Sequence, residues 1–190
     1  EDAHGYNTAL GYQALKVLNA GAQGYNTAVG YLAGVAVSTG INNTIIGAVA
    51  GDALSDADFN VAVGVGALGA DTKGNKNTAI GHDALGVQNF TSSTDAQNTA
   101  VGYNAGAAMT TGSKNTILGS YNGNQGGLDI RTASNNIVLS DGDGVPRAVV
   151  NSNGYFHASA NIADSQFFNS VHHHSFSTSN TQPVMFLENS

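Results

Sequence analysis

The sequence predicts an all-β fold, a parallel β-roll in which one short unit is stacked along an axis. Three observations carry that reading. A five-residue phrase of Asn, a β-branched residue, a small or β-branched residue, an aliphatic residue and Gly recurs down the chain, as in Asn26-Thr27-Ala28-Val29-Gly30. The copies are almost evenly spaced: their Asn residues stand at 7, 26, 43, 60, 77, 98, 115 and 136, in steps of 19, 17, 17, 17, 21, 17 and 21. The composition, with 25 Gly, 2 Pro and 10% charged residues in 190, suits an ordered, turn-rich β protein. A unit of this length at near-constant period marks a solenoid, in which each coil contacts only its neighbours.

Within the phrase, successive side chains point to opposite sides of an extended segment, so the phrase is a strand. The aliphatic column of Leu10, Val29, Ile46, Val63, Ile80, Val101, Leu118 and Leu139 is assigned to the inside of the roll. The intervening column, Ala9, Ala28, Ile45, Ala62, Ala79, Ala100, Ile117 and Val138, is also apolar. A strand apolar on both faces needs cover on both. The Asn column of Asn26, Asn43, Asn60, Asn77, Asn98 and Asn115 reads as a ladder of stacked amides that satisfies its own hydrogen bonds.

After each Gly, an Ala recurs three places on, at Ala14, Ala33, Ala50, Ala67, Ala84 and Ala105. This stretch is expected to form a second narrow strand, and turn residues such as Ser38-Thr39-Gly40 bring the chain back. At ~4.8 Å per coil, seven full coils and a degenerate eighth would stand roughly 35 Å tall. The repeat domain is placed at 1–140. A transition turn and hairpin follow over 141–154, centred on Ser152-Asn153-Gly154. An aromatic-rich β tail is placed at 155–190, where five of the seven Phe fall.

With no Trp, no Cys and 7% aromatic residues, each coil buries only a thin apolar layer. Ordering a residue costs about 1 to 2 kcal/mol of conformational entropy, and a column of Ala methyls offsets little of it. Oligomerisation is the remedy, with three rolls sharing one axis and burying the Ala and Ile column between them. The small tail is expected to interweave its strands among the three chains.

The phrase with its trailing Gly and Ala resembles the head repeat of trimeric autotransporter adhesins. The longer pattern Asn-Thr-Ala-Val-Gly-Tyr-x-Ala-Gly, with Asn135-Asn136-Ile137-Val138-Leu139-Ser140-Asp141-Gly142-Asp143-Gly144 and Ser152-Asn153-Gly154-Tyr155-Phe156, more closely resembles bacteriophage tail fibres. The resemblance covers nearly the whole chain, although the repeat is longer than that of the adhesin head. It implies a left-handed homotrimeric roll on the virion, a structural fibre segment that carries or positions recognition of a host cell-surface glycan or protein and joins other tail proteins. A trimeric bacterial surface adhesin is the alternative it leaves open, and a polysaccharide-cleaving tail spike is a third.

A formal charge of −7 with six scattered basic residues argues against nucleic acid, whose phosphates demand clustered Lys and Arg. No apolar run is long enough to cross a bilayer. Receptor contacts are expected on the longer coil insertions, at Phe90 and Tyr121, because function is commonly grafted onto loops. His172 and His174 would share one face of a strand, and six such imidazoles from three chains could form an axial transition-metal cage. Asp141-Gly142-Asp143-Gly144 reads as a turn rather than a Ca2+ loop, having too few oxygen ligands. Gly64-Val65-Gly66-Ala67-Leu68-Gly69 matches a dinucleotide fingerprint but lies in register with the repeat and precedes no helical pattern. No catalytic constellation is evident, so the chain reads as non-enzymatic. Sparse acids such as Asp52, Asp56, Asp58 and Asp71 are what the resemblance to tail spikes offers for glycoside cleavage.

Overall fold

A computed structural model describes residues 5–19 and 23–158. The chain is an all-β solenoid of about eight stacked coils, with no helix among the described residues. Its strands are β1 (Thr8–Leu10), β2 (Thr27–Val29), β3 (Thr44–Ile46), β4 (Val61–Val63), β5 (Gly74–Asn75), β6 (Thr78–Ile80), β7 (Thr94–Asp95), β8 (Thr99–Val101), β9 (Thr116–Leu118), β10 (Asn124–Gln125), β11 (Leu128–Asp129), β12 (Ile137–Ser140), β13 (Pro146–Val150) and β14 (Phe156–Ala158). Ten of them make one sheet in the order β1-β2-β3-β4-β6-β8-β9-β12-β13-β14. From β1 to β12 the pairing is parallel and in register, so that Thr27 lies beside Thr44, Ala28 beside Ile45 and Val29 beside Ile46. Identical residues of successive phrases therefore form true columns.

The Gly that ends each phrase fixes how closely coils stack. Gly64 has φ +134°, and a Cβ built there would lie 2.3 Å from the Gly81 carbonyl oxygen of the next coil. Gly30, Gly47, Gly81 and Gly102 repeat this geometry. Only a residue without Cβ allows both the φ and the approach.

The stretch after the Gly is a run of turns, not the expected second strand. Backbone at the second and fourth positions after the Gly is left-handed, as at Leu32 (φ 55°), Val49 (φ 50°), Leu68 (φ 55°) and Leu85 (φ 52°). The Val49 N–H donates to Tyr31 in the preceding coil at 2.8 Å, and the Gly51 N–H donates to Ala67 in the following coil at 2.9 Å. Alternating handedness thus aims successive donors up and down the stack, and it shortens the path enough for a coil of 17 residues to close. The Ala residues of this wall, Ala33 to Ala105, are buried.

The inside of the roll is the reverse of the sequence expectation. Ala28, Ala62, Ala79, Ala100, Ile45, Ile117 and Val138 are fully buried. The aliphatic column faces out: Leu10 is 67% exposed, Ile46 and Ile80 38%, Leu118 42% and Leu139 44%, with Val29, Val63 and Val101 half-buried. Volume decides the matter. The lumen also takes Leu15, Leu54, Leu68, Leu85 and Met109 from the turn wall, which leaves room mostly for Ala on the strand side. Ile occurs there where the wall is Gly: a Cβ on Gly34 would meet the Ile45 Cδ1 at 2.9 Å, and one on Gly106 would meet the Ile117 Cδ1 at 3.2 Å. Large against small on facing walls keeps the lumen filled.

The parallel stack ends at β12, which pairs antiparallel with β13, and β13 pairs antiparallel with β14 across the turn at 151–155. The Asp141 carboxylate closes the preceding turn, accepting from the N–H groups of Asp143 (3.0 Å) and Val145 (2.9 Å) and from the Arg147 Nε (2.7 Å). The backbone donor at Val145, followed by Arg147, holds its carboxyl below the usual range. With its oxygens so engaged, the segment serves as a turn.

Candidate functional site

Among the described residues, nothing covers the outer face of the parallel sheet. Its residues alternate between a hydroxyl or β-branched column, Thr8, Thr27, Thr44, Val61, Thr78, Thr99 and Thr116, and the aliphatic column. None is charged. Seven steps of ~4.8 Å and three strand residues of ~3.3 Å give an area of roughly 34 by 10 Å, about 340 Å2. That lies within the range of the largest apolar patch on a typical monomer.

Two further columns border this face. On one edge the residue before each Asn has left-handed backbone in every described coil, as at Tyr6 (φ 67°), Tyr25 (φ 51°), Phe59 (φ 60°), Lys76 (φ 62°) and Lys114 (φ 58°). On the other edge stand the residues after the Gly: Tyr12, Tyr31, Val65, His82 and Tyr103. Tyr6 stacks on Tyr25 with centroids 5.3 Å apart, Tyr12 on Tyr31 at 5.5 Å, and His82 on Tyr103 at 5.4 Å. These rings remain half exposed or more. The His82 Nδ1 lies 3.1 Å from an Asp83 carboxylate oxygen, and Lys76 pairs with Asp95 at 2.5 Å.

Behind the face, the Asn column is structural, as expected, and does more than stack amides. Each Oδ1 accepts the backbone N–H of the next Asn, at 2.8 Å for Asn26 on Asn7 and 2.9 Å for Asn43 on Asn26, Asn60 on Asn43 and Asn77 on Asn60. Each Nδ2 reaches across its own coil to a backbone carbonyl: Asn26 to Gly40, Asn43 to Ala57, Asn60 to Gly74, Asn98 to Gly112 and Asn115 to Ala133, all at 2.7–2.9 Å. Asn77 is the exception. Its buried Nδ2 has no partner among the described residues.

Phe90 and Tyr121 do not lie on exposed loops. Phe90 is 8% exposed, and Tyr121 is fully buried with its hydroxyl donating to the Leu128 carbonyl at 2.9 Å. Burial raises the Tyr121 pKa above that of an ordinary phenol. Tyr121 packs within the core of the roll, whereas Phe90 is buried outside that core. The Tyr121 carbonyl accepts from the Gly106 N–H, as the Ala50 carbonyl does from Gly34. The signal available in the sequence was the end of the Ala column at Ala105, which left the seventh coil without its usual core residue.

The insertion at 85–97 is organised by Asp71, a buried carboxylate that sequence reasoning treated only as a possible acid. One oxygen accepts from the N–H groups of Gly74 and Phe90, both at 3.0 Å, and the other from the Gln88 Nε2 at 2.6 Å. Gln88 in turn accepts from the Asn98 Nδ2 at 2.7 Å, tying the insertion to the ladder. Asp58 accepts the Ile41 N–H at 2.8 Å, and Asp56 accepts from the Ser55 hydroxyl at 2.7 Å and lies 3.5 Å from Lys73. Asp52, on the turn wall, has a raised pKa through partial burial. Asp56, Asp58 and Asp71 thus serve as joints within and between coils rather than as a facing pair.

Gly64 and Ala67 occupy the stacking-Gly and buried-Ala positions, and the segment that follows is a run of turns, so the dinucleotide fingerprint is a product of the repeat. His172 and His174 lie outside the described residues, as does the tail from 159 onward. Among the described residues no group of three His, Asp or Glu side chains is placed to hold a metal ion, and no helix is long and apolar enough to cross a membrane. Comparison with protein-family models, with curated proteins and with solved structures gives no match.

Proposed function

We propose that the chain is a segment of a phage tail fibre, a non-enzymatic rod of three left-handed rolls that carries or positions a host-recognition end. The observation that supports this reading best is the uncharged outer strand face running the length of the stack. A rod held by short-period stacking has little lumen to bury, and a face of aligned Thr, Val, Ile and Leu methyls supplies the missing apolar contact when three copies share an axis. The corrected orientation changes which residues would meet there. Leu10, Ile46, Ile80 and Leu118 line the shared interior, while the Ala and Ile column stays within each roll. The repeat's resemblance to tail-fibre and adhesin-head repeats supports the same assembly. Host surface glycan or protein and the other tail proteins are then the partners, and the virion is the location.

Gold-labelled antibody raised against the chain tests this on intact particles. Label confined to the tail of a phage is the expected result. Label on a bacterial cell surface would replace the reading with that of a surface adhesin, and release of glycan fragments from host envelope by the purified chain would replace it with that of a spike.

A further inference from the structure

We infer that the buried polar pair Asp71 and Gln88 fixes the order in which the coils stack, by making the fourth, fifth and sixth coils, which begin at Asn60, Asn77 and Asn98, distinguishable to one another. A solenoid of near-identical units has a competing arrangement open to it, in which a coil stacks on the next but one while the coil between loops out. Each coil offers its neighbour the same Asn, Gly and strand backbone, so the bonds that hold the stack do not tell one coil from another. Loop closure opposes the slip only weakly, since its cost rises slowly with loop length. One column does tell the coils apart. The eleventh residue after the Asn is fully buried in the second to sixth coils, as Val37, Leu54, Asp71, Gln88 and Met109. The column is polar at two adjacent levels and apolar on either side of them. In the observed stack the Asp71 carboxylate accepts from the N–H groups of Gly74 and Phe90, both at 3.0 Å, and from the Gln88 Nε2 at 2.6 Å, while the Gln88 Oε1 accepts from the Asn98 Nδ2 at 2.7 Å. Three consecutive coils are thereby joined through side chains. With the fifth coil looped out, the carboxylate would lose Gln88 and Phe90 and meet Met109, an unpaired charge against a thioether. With the fourth looped out, the Gln88 amide would meet Leu54 and leave its donor unmatched. Selecting register at some cost in stability is the best-attested use of a polar group in an apolar contact. The inference concerns one roll and does not depend on how many chains assemble.

The chain has no Cys, so introduced thiols report the order of the coils. Val65, His82 and Tyr103 follow the Gly of the fourth, fifth and sixth coils and are exposed. In the observed stack Val65 and Tyr103 are two steps apart, roughly 9.6 Å, whereas a disulfide needs Cα atoms within about 7 Å; looping out the fifth coil leaves one step between them. Val65→Cys with Tyr103→Cys, refolded from urea under mild oxidation, should stay unlinked, read as alkylation of both thiols in species of one-chain mass. The same pair in a chain that also carries Asp71→Leu and Gln88→Leu should link at least about tenfold more, because the wrong stack no longer buries an unpaired charge. Val65→Cys with His82→Cys, one step apart, should link in both backgrounds. Tyr31→Cys with Val65→Cys reports loss of the third coil, in which Asp71 keeps its partners, and should stay unlinked in both. No rise for the Val65 and Tyr103 pair in the Leu background overturns the inference. An equal rise for the Tyr31 and Val65 pair also overturns it, since the Leu residues would then act by loosening the whole stack. Loss of β-sheet circular dichroism in the Leu background overturns it too, by making the network a condition of folding rather than of order.

Discussion

Gly64→Ala is expected to abolish cooperative stacking of the central coils. The new methyl would stand 2.3 Å from the Gly81 oxygen and 2.6 Å from its carbonyl carbon. Neither side can yield easily, because the Gly64 N–H is bonded to Ile46 and the Gly81 N–H to Val63, both at 2.8 Å. A φ of +134° adds its own penalty of roughly 1 to 3 kcal/mol for a residue with a side chain. Clash and strain together should cost about 4 kcal/mol or more, a large share of the 5 to 15 kcal/mol that typically separates folded from unfolded protein. Gly142→Ala is the matched control. No atom lies within 4 Å of its added methyl, and its urea midpoint should match that of the parent, within about 0.5 kcal/mol. Equal midpoints for Gly64→Ala and Gly142→Ala would mean that the coils are not stacked through the Gly column.

Asn60→Ala should be nearly as damaging. It removes the acceptor for the buried Asn77 N–H and the donor to the Gly74 carbonyl, each at 2.9 Å, and a longer amide contact to Asn43 at 3.2 Å. Leaving a buried donor and a buried acceptor unmatched costs about 1 to 3 kcal/mol apiece. Asn60→Asp keeps an acceptor but loses the donor and places a charge in the wall, so it should rescue nothing. Asn77→Ala provides an internal comparison: its Nδ2 has no partner among the described residues, so its loss should cost measurably less than that of Asn60 in the same denaturant titration. Equal losses at the two positions would show that the cross-coil amide bond contributes little.

The strand of each coil, its register, the stacked Asn and the requirement for Gly could all be read from the spacing, because each is a local consequence of one repeating phrase. Which strand face turns inward could not be read by alternation alone, since both columns are apolar. A finer cue was present: Thr shares the outer face with the aliphatic residues in six coils, whereas the other column carries no hydroxyl. The turn wall was misread as a strand because left-handed backbone at Leu32, Val49, Leu68 and Leu85 runs against the preference of those residues, and tertiary hydrogen bonding between coils overrides it. Phe90 and Tyr121 were misplaced for a related reason. Insertions are usually surface loops, but here Tyr121 packs into the core of the roll and Phe90 is buried beside it rather than exposed. The Asp71 joint with Phe90 had no sequence signal, since Phe90 belongs to an insertion without a counterpart in the other coils.

Whether the outer strand face joins copies of the chain is tested most directly by the mass of the chain in solution. Sedimentation equilibrium at micromolar concentration should return three times 19.2 kDa for the parent chain. Ile80→Asp places a charge on the outer face, where a single roll leaves that side chain 38% exposed, so each chain should keep its β-sheet circular dichroism while the mass falls to 19.2 kDa. A parent chain that sediments at 19.2 kDa, or an Ile80→Asp variant that assembles as the parent does, would contradict the assignment of that face to contacts between copies.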